Sequence, residues 1–364
     1  MGVIVRALQH CLLPTGAAGR CLAGCVLAVA IAIPAARPSL ADEGGVSFWT
    51  PGFLGSLAAT PMVPGFALTN IYYHTSVSAG SDVAFARQVA RGNITAHFTG
   101  NLVASLSASA DLYMAIPSYT FAQSFLGGQA TALLIVPYGR ARTGVDATLN
   151  GSFGIGPGFT IGAARTDEVT GFADLIPQFN VRWNAGVHNF MTYVTGNLNV
   201  GVYDQNSLAN LGIGHHAIDA GGGYSYFNPQ TGLEYSGSLG FTYNFKNVHT
   251  DYQNGVDMHF DAAASQFVTK QLQLGVVGYA YQQLSCDSGG GVRLGCFESR
   301  VFGLGPQLGY IVPLGTTHQA YLNLKGYKEF AAENRPEGWN VWLTLAISPA
   351  APTPPPSTRP LITK

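Results

Sequence analysis

ITAHFTGNLVASLSASADLYMAI, residues 94–116, decides the fold class. The even positions Ile94, Ala96, Phe98, Leu102, Ala104, Leu106, Ala108, Ala110, Leu112, Met114 and Ile116 are apolar, with Gly100 among them. The odd positions Thr95, His97, Thr99, Asn101, Ser105, Ser107, Ser109 and Asp111 are polar, and only Val103, Tyr113 and Ala115 break that side. A period of two held this long is a β signal, because a helix would spread these residues around its circumference. One face is apolar and built of small and medium side chains; the other is polar and nearly uncharged. That suits a wall with lipid on one side and water on the other. At about 3.3 Å per residue the stretch would run roughly 76 Å, whereas a tilted membrane strand takes about 9–11 residues. Either the wall rises well above the bilayer here, or the chain turns near Gly100 and Asn101. The expected crossing is 104–116, with Ser105, Ser107, Ser109 and Asp111 lining the lumen.

Other segments repeat the pattern. In 178–185, Phe179, Val181, Trp183 and Ala185 alternate with Gln178, Asn180, Arg182 and Asn184. In 233–246, Leu233, Tyr235, Leu239, Phe241, Tyr243 and Phe245 alternate with Glu234, Ser236, Ser238, Thr242, Asn244 and Lys246. Segments 131–142, 190–203, 302–312 and 339–347 behave alike, and weaker ones lie at 216–227, 256–268, 271–284 and 319–330. Short turns at 228–232, 314–317 and 333–338 contrast with longer connections at 204–214, 246–255 and 285–296. Short turns at one end and long loops at the other mark an outer-membrane barrel. The expected fold is all-β, an antiparallel transmembrane β-barrel of about 12 strands, within a range of about 10–14.

Composition agrees. Of 364 residues only 10% are charged, against roughly 25% in soluble domains. Glycine reaches 46 residues. Residues 1–41 read as a secretory signal: Arg6 and Arg20 precede the apolar run CLAGCVLAVAIAIPAA at 21–36, and Ser39 and Ala41 place cleavage after Ala41. The run is about 16 residues, short for a spanning helix of roughly 20. A lipoprotein-type box at 22–25 sits at the wrong end of it. Removing 1–41 takes away Arg6, Arg20 and Arg37 and no acid, so 18 − 3 = 15 basic residues face 19 acidic ones, a net charge of −4. Nothing in that balance suggests nucleic-acid binding. Residues 42–65 are rich in Gly, Pro and aromatics and read as a plug or periplasmic lead-in. The barrel is expected over 66–348, and 349–364 is a Pro-rich disordered tail.

No nucleophile elbow or phosphate loop occurs, and the glycines at 154–158 have the wrong spacing for a nucleotide fingerprint. His215, His216 and Asp219 read as a polar loop entering a strand, and Asp257, His259 and Asp261 as a polar lumen stripe. No metal site and no cofactor are expected. Cys286 and Cys296, the cysteines outside the signal, flank a Gly-rich loop and are expected to pair as a disulfide. Arg140, Arg142, Arg182, Glu234, Lys325 and Glu329 interrupt neutral strands. A lipid-facing Arg or Lys costs roughly 2–4 kcal/mol at mid-membrane, so these residues are expected inside, either guiding a solute or pairing to fill the interior. Phe48, Trp49 and Phe53 offer an apolar mouth for solute, or else anchor the N-terminal segment to the wall.

Certain patterns carry a family resemblance: Glu43-Gly44-Gly45 to Gly52; Pro64-Gly65-Phe66 with Ile71-Tyr72-Tyr73; Gly171-Phe172-Ala173-Asp174-Leu175; Gly232-Leu233-Glu234-Tyr235-Ser236 with Leu239 to Asn244; Asn254-Gly255; His259-Phe260-Asp261; and Trp339 with Val341-Trp342-Leu343-Thr344. On these the chain resembles, over 43–348, an outer-membrane family linked to the meta-pathway of phenol degradation. The resemblance implies a barrel in the bacterial outer membrane that passes small hydrophobic or aromatic compounds, and brings no catalytic residues. A passive channel for such solutes, in contact with outer-membrane lipid and not an enzyme, is the leading expectation. The alternatives are a barrel-embedded lipid-acting hydrolase and a structural or adhesion barrel. Oligomeric state is not legible from the sequence.

Overall fold

A computed structural model describes residues 47–80, 99–152, 159–292, 296 and 298–350. The signal segment 1–41, its cleavage site and the tail beyond Ala350 lie outside the described residues.

The described chain forms β1 (Gly65–Ala79), β2 (Thr99–Phe125), β3 (Gly128–Ser152), β4 (Phe159–Phe172), β5 (Ile176–Ala185), β6 (His188–Asn197), β7 (Ala217–Asn228), β8 (Leu233–Asn244), β9 (Asp257–Phe267), β10 (Leu272–Gln283), β11 (Arg300–Leu314), β12 (His318–Glu333) and β13 (Glu337–Pro349). Neighbours pair antiparallel, β13 closes onto β1, and β2 pairs with β3. The ring omits β4, so 12 strands close the barrel among the described residues, as the period-two segments predict. β4 hangs on the upper half of β3, Tyr138 to Gly151, while β5 pairs with the lower half, Gln129 to Ile135. Closure leaves the 12 ring strands without an open edge, which lipid could not hydrogen-bond, whereas β4 pairs on one side only.

The connections at one end are 126–127, 186–187, 229–232, 268–271 and 315–317; those at the other include 198–216, 245–256 and 284–299. The predicted asymmetry is present. One assignment needs correcting: the turn near 333–338 joins β12 to β13 at the long-loop end. The last strand also runs on to Pro349, which pairs with His318. Proline is tolerated at a strand's final position, where no further ladder bond is needed.

The opening stretch does not turn at Gly100. β2 is one strand of 27 residues, paired with β3 from Thr99 to Phe125, roughly 90 Å long. An outward row of rings, Tyr72, Tyr113, Tyr138 and Phe172, runs across β1 to β4 in direct register. Lower on the same face lie Phe66, Tyr119, Phe121 and Phe125, all exposed. Aromatic girdles of this kind mark the two lipid–water interfaces. The crossing therefore occupies 113–125, below the expected 104–116, and the upper half of β2 with β3 and β4 stands above the lipid.

Loop 198–216 folds against that upper wall. Asp174 ties it down: Oδ1 accepts the N–H groups of Val200 (3.1 Å) and Gly201 (2.8 Å), and Oδ2 accepts from Ile213 N (2.9 Å) and Asn197 Nδ2 (3.0 Å). Leu208 from this loop packs on Leu106 and Val145. Cys286 and Cys296 form the expected disulfide in loop 284–299.

Candidate functional site in the barrel lumen

The inner surface has two halves. On β1, β2 and β10–β13 it carries one buried apolar and aromatic cluster, with Ile71, Tyr73, Met114, Ile116, Tyr279 and Trp342, beside the buried polar Gln273, Gln307, Lys325, Glu329 and Asn340. On β5–β9 it is polar, with Asn180, Thr195, Asp219, Glu234, Asp257 and Asp261 buried. A lumen charge avoids lipid only by facing inward, so alternation alone sends the polar residues of β5–β9 inside.

For β2 and β3 the outcome is the reverse of the expectation. The even residues Leu106, Met114 and Ile116 are buried inside. Ser105, Ser107, Ser109 and Asp111 share the outward face with Tyr113, and Arg140 and Arg142 share it with Tyr138. None of these six lines the lumen. Asp111 Oδ1 instead accepts from Tyr72 Oη (2.6 Å) and meets His74 Nδ1 (2.7 Å), and Arg140 pairs with Glu168. Above the lipid the outside is water, so polar groups gain by facing out, and the apolar face is covered from within by Leu208 and its neighbours.

Arg182, Glu234, Lys325 and Glu329 do point inward. Three of them hold the N-terminal segment 47–64, which threads the lumen. Arg182 Nε donates to Ala58 O (3.1 Å). Glu234 accepts from Leu57 N (2.9 Å), Ser56 Oγ (3.0 Å) and Ser265 Oγ (2.6 Å). Lys325 Nζ donates to the carbonyls of Gly52, Phe53 (3.2 Å) and Leu54 (3.3 Å), with Trp342 5.1 Å below it. Asp261 accepts the N–H groups of Gly52 (2.7 Å) and Leu54 (3.2 Å). Ala59 N donates to Ser225 Oγ (3.1 Å) and Met62 N to Gln129 Oε1 (2.7 Å). Glu329 is different: it accepts from Tyr279 Oη and Gly338 N, both at 2.8 Å, within the wall. Gly52 has φ +88°, and a side chain there would meet Tyr327 at 2.9 Å; only glycine combines that backbone with that approach.

The rings of the segment are buried. Phe48 and Trp49 are covered, and Phe53 packs on Trp342 at 6.2 Å. The indole of Trp49 lies 3.8 Å from the His259 imidazole and 10° from parallel, and 5.9 Å from the Tyr193 ring at 25°. His259 Nε2 meets Asp219 Oδ2 at 2.9 Å, and Thr242 Oγ1 donates to the same oxygen (2.5 Å). The sequence placed His259 and Asp261 on one polar stripe but gave no sign that Asp219, on another strand, meets His259. Among the described residues two histidine–carboxylate pairs are present, His259–Asp219 inside and His74–Asp111 outside. No serine hydroxyl among the described residues hydrogen-bonds either histidine.

The family described as putative MetA-pathway of phenol degradation matches residues 92–345. The crystal structure of the COG4313 outer membrane channel from Pseudomonas putida F1 superposes with a TM-score of 0.56 at 12% identity, covering 83% of this chain and 100% of that one. A Pseudomonas aeruginosa FadL homologue gives a TM-score of 0.40 at 8% identity, covering 87% of this chain and 97% of that one. No curated protein sequence matches.

Proposed function

The chain belongs to the family described as putative MetA-pathway of phenol degradation, and from that premise we propose that it is a passive outer-membrane channel for small hydrophobic or aromatic compounds. The observation that carries this reading is the apolar cluster in the lumen, where Tyr73, Tyr279, Tyr327 and Trp342 stand among aliphatic side chains. A sugar porin needs a polar, water-filled lumen. A wall of rings and branched side chains instead lowers the free energy of apolar solutes along it, by roughly 25 cal/mol per Å² removed from water. Transport of this kind breaks no bond, and the protein is proposed not to be an enzyme.

In this reading segment 47–64 is the plug. Arg182, Glu234 and Lys325 keep it in place, so solute passes when part of the segment moves. The outward Ser105, Ser107, Ser109, Asp111, Arg140 and Arg142 take no part in the path. Vesicles with a lipopolysaccharide outer leaflet, reconstituted with the full mature chain, test the proposal. Entry of phenol and toluene faster than into empty vesicles, with sugars unchanged, is expected. Rates equal to empty vesicles refute it.

A further inference from the structure

The segment inside the lumen is held unevenly. From Gly52 onward its backbone is bound to the wall by Asp261, Lys325, Glu234, Ser225 and Gln129. Before that point, among the described residues, the hydrogen bonds of 47–50 stay within the segment: Ser47 Oγ donates to Trp49 O, and Phe53 N to Thr50 O. What fixes Trp49 is ring contact. Tyr193 Oη lies 3.4 Å from His259 Nε2, and both rings are within 25° of the indole plane. The two form one aromatic platform, and Trp49 lies on it. Gly240 lies beside this platform: a methyl group there would come within 2.6 Å of both Tyr193 Oη and the His259 ring. Phe53 meets the indole edge-on at 5.8 Å, and Met191 and Ala59 close the sides. The indole N–H has no acceptor among the described residues, so the site grips a ring by its face and leaves the ring's polar edge unused.

We infer that the Tyr193–His259 platform is a binding site for a planar aromatic solute, and that Trp49 occupies it as a built-in competitor. A solute ring replaces the indole, residues 47–50 swing aside, and the Gly52-to-Met62 anchor stays clamped. Stacking needs a flat π-face, so a saturated ring of equal size does not substitute. The orientation of His259 is fixed by Asp219, which keeps the platform in place when the indole leaves. This inference rests on the proposed transport of aromatic compounds and names the site where they pause.

The test is a fluorine NMR titration of the full mature chain in detergent micelles with 4-fluorophenol, and with 4-fluorocyclohexanol as the saturated comparator. An occupied site weakens apparent affinity by the fraction of time it is free. Trp49→Ala is therefore expected to tighten 4-fluorophenol binding by about tenfold or more, with no gain for the comparator. Tyr193→Leu added to Trp49→Ala is expected to abolish the gain. Heat-modifiable migration on gels confirms that each variant is folded, and Trp49→Phe, which keeps a competing ring, is expected to give a smaller gain. No tightening in folded Trp49→Ala, equal tightening for the saturated ring, or a gain that survives loss of Tyr193 each overturns the inference. Binding without vesicle uptake would remove the transport reading and leave the site; uptake without a Trp49-dependent change in binding would do the opposite.

Discussion

Lys325 on β12 and Asp261 on β9 grip the same turn of the chain, the ammonium on the carbonyls of 52–54 and the carboxylate on the N–H groups of Gly52 and Leu54. Both side chains are buried. Each charge is satisfied by peptide groups from a segment more than 200 residues away in sequence. Arg182, Glu234 and Lys325, which look like a lining for solute, thus hold the protein's own backbone.

Lys325→Met is expected to loosen that turn without unfolding the barrel. It leaves the carbonyls of 52–54 without their buried donor, which costs about 1–3 kcal/mol. The measurement is single-channel conductance in planar bilayers, together with maleimide labelling of a cysteine placed at Phe53. Conductance should rise several-fold and labelling should accelerate. Adding Asp261→Asn should recover less than an additive penalty, because the two charges are coupled.

The reversed face of β2 yields a contrast. Leu239 is an exposed, central residue of β8 and faces lipid, so Leu239→Arg should destabilise the barrel by about 2–4 kcal/mol. Ser107→Arg, on the outward face above the Tyr113 row, should stay within about 0.5 kcal/mol of the parent. Urea midpoints in lipid vesicles compare the two. Equal destabilisation would mean that the upper wall is not in water.

Loop 198–216 should loosen in acid. His215 is buried in it, and that burial lowers its pKa from the usual 6.5. The closed loop prefers the neutral imidazole, whereas the opened loop binds the proton. Closure is therefore fully favoured above about pH 6.5 and weakens as pH falls toward the lowered value. Hydrogen exchange at Val200, Gly201 and Ile213, corrected for intrinsic rates, should speed up at pH 5.5 relative to 7.5. His215→Gln should flatten that dependence, and Asp174→Ala should speed exchange at both pH values.

Removing the disulfide with Cys286→Ser and Cys296→Ser should release a loop whose closure contributes roughly 2–3 kcal/mol. The effect should remain local, since β10 and β11 pair up to Gln282 and Arg300 independently of it. Exchange at Gly255, whose N–H donates to Asp287 Oδ1 (2.9 Å), should rise, and the thermal midpoint should fall modestly while the β10–β11 pairing is kept.

The sequence by itself determined the barrel. Period-two segments, few charges and the asymmetry between short turns and long loops specify a closed antiparallel wall, because strand side chains alternate strictly and lipid tolerates no open edge. They also give the number of closing strands as about 12, within about 10–14, and Cys286 and Cys296, flanking a Gly-rich loop of an exported chain, as a disulfide. Which face of residues 105–116 is inward came from the tertiary structure. Alternation defines two faces without a sign, and the assumption that the apolar one meets lipid fails where the wall leaves the bilayer. There water lies outside, and Leu208 with its neighbours buries Leu106 from within. Tertiary structure alone likewise joined Lys325 and Asp261 to Gly52, and Trp49 to His259 and Tyr193. Those meetings depend on how the closed ring brings distant strands around the threaded segment, and no local pattern of residues encodes that distance.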